Sequence, residues 1–190
     1  MKTRLLQTTL IASFFGVCWL LMQGVHELGH VAFTVLPGGE VEGVVLHPLA
    51  FSRTDASANP RPLLQIWGGP IVGVVLPISC WGIAYLIRAR IRPFLQLFAG
   101  FCCIVNGAYI GFAPNSLGLD TCTMLANGSK RWHLVVFGIS MLALGLWFWN
   151  GTGKVLGFGV SGGKVSNKHV IASVCLLAAV VLIELIFYAA

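Results

Sequence analysis

Five consecutive residues, His26-Glu27-Leu28-Gly29-His30, hold the densest chemistry in the chain. On a helix, the i, i+4 spacing turns both imidazoles to one face, where they can hold one Zn2+ while the glutamate faces a water on that metal. The chemistry this supports is metal-assisted hydrolysis. Zinc brings the pKa of its bound water toward ~7, and Glu27 takes the proton and passes it to a leaving amine. A catalytic zinc keeps three protein ligands and one open position, so a third ligand is required. Of the six acidic residues, Asp120 suits that role best. Glu27 is needed as the base, Glu40, Glu42 and Asp55 fall in polar connections, and Glu184 lies deep in the last apolar run. Asp120 also suits the N-cap of a segment over 121–125, and one carboxylate can serve both purposes. His47 is the weaker alternative ligand.

The elements that must position these residues are membrane helices. The 190 residues are 57% hydrophobic and only 9% charged, with a mean hydropathy of +0.86, whereas soluble domains carry roughly 25% charged residues. One polytopic domain covering 1–190 is expected, an all-α membrane protein of about five transmembrane helices with a short β-strand or hairpin after the first. The net charge of +6 does not indicate nucleic acid, because Lys and Arg are scattered among short connections without interleaved aromatics. The six cysteines, Cys18, Cys80, Cys102, Cys103, Cys122 and Cys175, show no CxxC spacing and indicate neither a disulfide framework nor a thiolate metal site.

Lipid sharpens the reading of the motif. An ionisable group at the bilayer centre costs about 2.5 to 3.5 kcal/mol on insertion scales, and here three cluster within one turn and a half of helix. A bound cation offsets that cost for all three at once. The plainer alternative is that the three side chains satisfy helix partners.

The first span is expected over 5–36, retained and not cleaved as a signal peptide, and ended by Pro37-Gly38-Gly39. Valines at 41, 44 and 45 suit a strand over 40–46, and a polar segment follows over 52–61. Further spans are expected over 62–87, 94–114, 132–149 and 170–188, with a moderately polar loop over 115–130 and a Gly-rich linker over 151–163. The catalytic core then occupies about 5–130, and 132–149 and 170–188 are additional helices. With five spans, Lys2, Arg4, Arg88, Arg90, Arg92, Lys154, Lys164 and Lys168 share one side, which the positive-inside tendency makes cytoplasmic.

HELGH in a membrane helix, Gly-Gly-Glu-Val-Glu-Gly-Val-Val after it, Gly-Gly-Pro near the start of a second helix, and Leu119-Asp120 after a third resemble the site-2 protease family of intramembrane zinc metalloproteases, in particular its short, compact bacterial-type members. The resemblance covers roughly 21–125. It implies hydrolysis of membrane-embedded or membrane-proximal peptides, zinc on His26, His30 and Asp120, Glu27 as base, and a multi-pass location in a bacterial-type inner membrane. It also implies an asparagine near the site, for which Asn106 and Asn115 are the candidates for substrate or oxyanion contact. Asn106 equally suits an interhelical hydrogen bond. The chain departs from the family pattern at Val72 and Gly73, where an asparagine is usual after Gly-Pro, and at Thr121, where a glycine usually follows the aspartate. The family's site lies toward the cytosol, opposite to the side that charge assigns to Asp120.

The rival function is a catalytically inactive metal-binding membrane protein that regulates or chaperones other membrane proteins. A metal transporter fits less well, since the second and fourth spans carry no internal ionisable residue.

Overall fold

Helix α1 (Lys2–Val35) sets the frame. Its 34 residues reach about 51 Å at ~1.5 Å each, well beyond the ~30 Å hydrocarbon core, so the helix tilts or projects. Gly38 ends it: at φ +91° it allows Gly38 N–H to reach the carbonyl of Val35 and Gly39 N–H that of Thr34, each at 2.9 Å. This paired closure at a left-handed glycine satisfies the last carbonyls and turns the chain sharply. The computed structural model describes residues 2–57, 59–113 and 120–189.

The turn leads into a two-stranded antiparallel hairpin, β1 (Val41–Val45) and β2 (Arg53–Ala56). The expected strand is therefore joined by a second, inside the segment read from sequence as merely polar. Val44 pairs with Thr54 and Val45 with Arg53, with an irregularity between Val41 and Gly43. Along β2, Thr54 and Ala56 are half-buried, while Arg53 and Asp55 are exposed and pair with each other at 3.1 Å. The pleat thus turns a hydroxyl inward and the charges outward.

Helices α2 (Pro62–Leu86), α3 (Arg92–Phe112), α4 (Asp120–Ala126), α5 (Arg131–Trp149) and α6 (Asn167–Ala189) complete the bundle. Helix α2 starts on a proline, which needs no donor there. The loop expected over 115–130 contains α4, and the glycine-rich linker forms two short 3-10 turns, Thr152–Leu156 and Gly159–Ser161. Among the described residues, five helices are long and apolar enough to cross a membrane, and the chain is a multi-pass membrane protein. On α6, Leu182, Ile183, Ile186 and Phe187 are exposed, as a lipid-facing surface requires.

Small residues draw the helices together. A Cβ at Gly138 of α5 would lie 2.6 Å from Gly111 Cα on α3, so these backbones touch only because both positions are glycine. Helix α6 lies against α1, where Ser13 and Ser173 share a hydrogen bond of 2.8 Å. Ile110, Met124 and Leu134 form a core cluster with Ile66 and Trp67 around it, which pins the short α4 among α2, α3 and α5. Asp120, its first residue, is thereby brought to His26 and His30 on α1.

Candidate metal centre

His26 and His30 project from one face of α1, with ring centroids 4.8 Å apart. Each ring is oriented by a partner on another helix. His26 Nδ1 lies 2.8 Å from Asn106 Oδ1 on α3. The Asn106 amide nitrogen donates to the Cys102 carbonyl at 2.9 Å, which leaves its oxygen for the histidine. His30 Nδ1 lies 3.0 Å from the Gln65 carbonyl on α2. Both Nδ1 atoms face acceptors and so carry the hydrogens, which makes each Nε2 a lone-pair donor.

Those two Nε2 atoms stand 3.0 Å apart. Asp120 Oδ2 is 3.0 Å from His26 Nε2 and 3.4 Å from His30 Nε2. With both rings neutral, three lone pairs converge on one point, and either a proton on an imidazole or a metal ion relieves their repulsion. A proton serves one pair at a time, whereas a metal ion serves all three. Nitrogen and oxygen ligands about 2.0–2.1 Å from a tetrahedral ion lie roughly 3.3 Å from one another, close to the triangle found. The buried His26–His30–Asp120 group can hold a metal ion.

The surroundings fit that use. His26, His30 and Asn106 are all buried, and α2 leaves room for the rings only because residue 69 is glycine. A Cβ there would collide with His30 Nε2 and stand 2.8 Å from His26 Nε2. The Gly-Gly-Pro stretch thus serves the centre at Gly69 and the close approach of α2 to Gly29 of α1 at Gly68. Asp120 is fixed by its backbone N–H, which donates to the Tyr109 hydroxyl at 3.1 Å. Burial pushes the Asp120 carboxyl up, but when the His26 and His30 rings are protonated their hydrogen bonds and charge outweigh it and hold the group well below the usual carboxylate range.

Glu27 is 3% exposed and points elsewhere on α1, toward the hairpin. Its Oε1 accepts from the Ser52 hydroxyl and its Oε2 from the Thr54 hydroxyl, both at 2.7 Å. A groove of about 530 Å3 opens between β1, β2, α2 and α4, lined in part by Thr54, Gln65 and Thr123. Thr54 and Gln65 thus each border the groove while holding a residue of the HExxH motif.

The structure brings together His26, His30 and Asp120. Asn106 contacts His26 and Cys102, the interhelical role that the sequence left open beside an oxyanion contact. His47 stands apart from the cluster: its ring packs on Tyr188 at 4.8 Å and its Nδ1 accepts the Leu49 N–H. Asn115 lies outside the described residues. Sequence reading missed the Gln65 carbonyl, Tyr109, Ser52 and Thr54. A backbone carbonyl leaves no sequence signal, and the two hydroxyls sit in a segment whose composition reads as loop.

Comparison with protein-family models, with curated proteins and with solved structures finds no match. The functional case therefore rests on the chemistry of the site.

Proposed function

We propose that the protein is an intramembrane zinc metalloprotease that hydrolyses peptide bonds of membrane-embedded or membrane-proximal substrates. The observation that carries this reading is the convergence of His26 Nε2, His30 Nε2 and Asp120 Oδ2, with separations of 3.0 to 3.4 Å, one residue from a buried glutamate. Two imidazoles and one carboxylate are the donor set of a hydrolytic zinc, and the HExxH order supplies its base.

Zinc on these three residues supplies the Lewis acidity that brings the pKa of water toward ~7 and polarises the substrate carbonyl. Asn106 and the Gln65 carbonyl keep the two imidazoles in the ligating tautomer. Glu27 accepts a proton from the water whose oxygen attacks the carbonyl carbon. As the C–N bond breaks, Glu27 gives that proton to the amine nitrogen, so the products are a carboxylic acid and an amine. Burial of the centre among apolar helices restricts its substrates to chains that enter from the bilayer or the groove. The location in a bacterial-type inner membrane belongs to the same proposal.

The test uses zinc-loaded protein in lipid nanodiscs and a panel of synthetic single-pass peptides with a fluorophore and quencher flanking the apolar segment. Cleavage by the wild-type chain, abolished in Glu27→Gln with zinc retained, is the expected result. Equal cleavage by wild type and Glu27→Gln rules out the assigned base. No cleavage by either, with zinc bound in both, favours the non-catalytic regulator.

A further inference from the structure

The hairpin's two inward hydroxyls are spent in an unusual way. Among the described residues, several serine and threonine hydroxyls bond nearby backbone: Thr9 to Leu5, Ser13 to Thr9, Thr34 to His30 and Thr152 to Trp149. That is the ordinary local habit of these residues. Ser52 and Thr54 instead reach 25 and 27 residues back along the chain, and both end on one carboxylate. We propose that Ser52 and Thr54 are positioning residues for Glu27, making the β1–β2 hairpin part of the catalytic apparatus and not only a cover over it. This inference rests on the protease reading and assigns the elements that hold its base.

The geometry supports a positioning role over mere attachment. The hairpin has another fixing to α1, with Ser52 N–H donating to Gln23 Oε1 at 3.0 Å one turn before Glu27. An ionised carboxylate offers about four lone pairs. One hydroxyl on each oxygen fixes the side-chain rotamer and leaves the second lone pair of each oxygen for a water. The strand register makes the arrangement specific, because a slip by one residue would turn Asp55 or Arg53 toward Glu27 in place of Thr54.

The experiment compares wild type, the double variant Ser52→Ala/Thr54→Val, the hydroxyl-keeping double variant Ser52→Thr/Thr54→Ser, and Glu27→Gln. All are zinc-loaded in nanodiscs and assayed with the same peptide panel. For the hydroxyl-free pair, kcat should fall about 10- to 100-fold, the range seen when supports of a reactive group are removed, with KM and zinc content unchanged. The hydroxyl-keeping pair should recover most of the rate, which a purely structural defect would not. Wild-type rates in the hydroxyl-free pair alongside a dead Glu27→Gln would overturn the positioning role alone. Faster cleavage by that pair would show that the hairpin restrains Glu27, and would overturn it too. A wild-type chain that holds zinc but cleaves nothing in the panel removes the protease reading, and this proposal with it.

Discussion

His26 Nε2 and His30 Nε2 face each other at 3.0 Å while their Nδ1 atoms are engaged by Asn106 on α3 and by the Gln65 carbonyl on α2. Two imidazoles on adjacent turns of a helix are free to rotate apart. Here two further helices hold them edge to face with their Nε2 atoms together, and Asp120 closes the triangle. The three ligand atoms are thereby held at separations that suit one metal ion.

Asn106 tests that tautomer control. Asn106→Ala removes the acceptor for His26 Nδ1–H, and zinc affinity, measured by competition with a chromophoric chelator, should fall about 10- to 100-fold. Unchanged affinity would mean that His26 needs no orienting partner.

Gly69 tests the space around the rings. Gly69→Ala should abolish zinc loading, because its Cβ meets both Nε2 atoms. The control is Gly24→Ala on α1, where a Cβ meets nothing within 4 Å. It should load zinc normally and melt no lower than wild type, since alanine is favoured over glycine by about 0.5–1 kcal/mol within a helix. Zinc content and thermal unfolding in detergent read both outcomes.

Metal removal should lower stability. A ligand present at a hundred times its Kd and bound only by the folded state contributes about 2.7 kcal/mol. Treatment with a strong chelator should therefore lower the Tm of the wild-type protein and leave Asp120→Ala nearly unmoved. Equal shifts in both would place the metal elsewhere.

Charge gives a topology that is open to test. The cations at 88, 90 and 92 connect α2 to α3 at the end opposite the hairpin, and the positive-inside tendency places them in the cytoplasm. In a background without the six cysteines, Glu42→Cys should react with a membrane-impermeant thiol reagent from the outer side and Arg90→Cys should not. The reverse pattern would agree with the cytosol-facing site implied by the resemblance to site-2 proteases.

The parts of the site that follow from local spacing were legible in the sequence, and those that follow from long-range docking were not. His26, Glu27 and His30 lie within five residues of one helix, where the i, i+4 rule alone decides which side chains meet. Asp120 could be singled out because acidic residues are few and the alternation of spans puts it at the same end as the motif. The bounds of α1, α2, α3, α5 and α6 fall within a few residues of those expected, since hydrophobicity and length dominate in a bilayer. Strand β2 reads Arg-Thr-Asp-Ala and has one β-branched residue among its four, so propensity gave no sign of it. The hold of Ser52 and Thr54 on Glu27 depends on how the hairpin docks against α1, and that of Asn106 on the rotation of α3. Neither is encoded in any short window.

Zinc content of the purified protein, by elemental mass spectrometry after chelator-free purification, bears most directly on the metal centre. The wild-type chain should carry close to one zinc per molecule, and His26→Ala and Asp120→Ala should carry almost none while remaining folded. A wild-type chain without zinc, or one whose zinc survives both substitutions, would contradict the assignment of His26, His30 and Asp120 as its ligands.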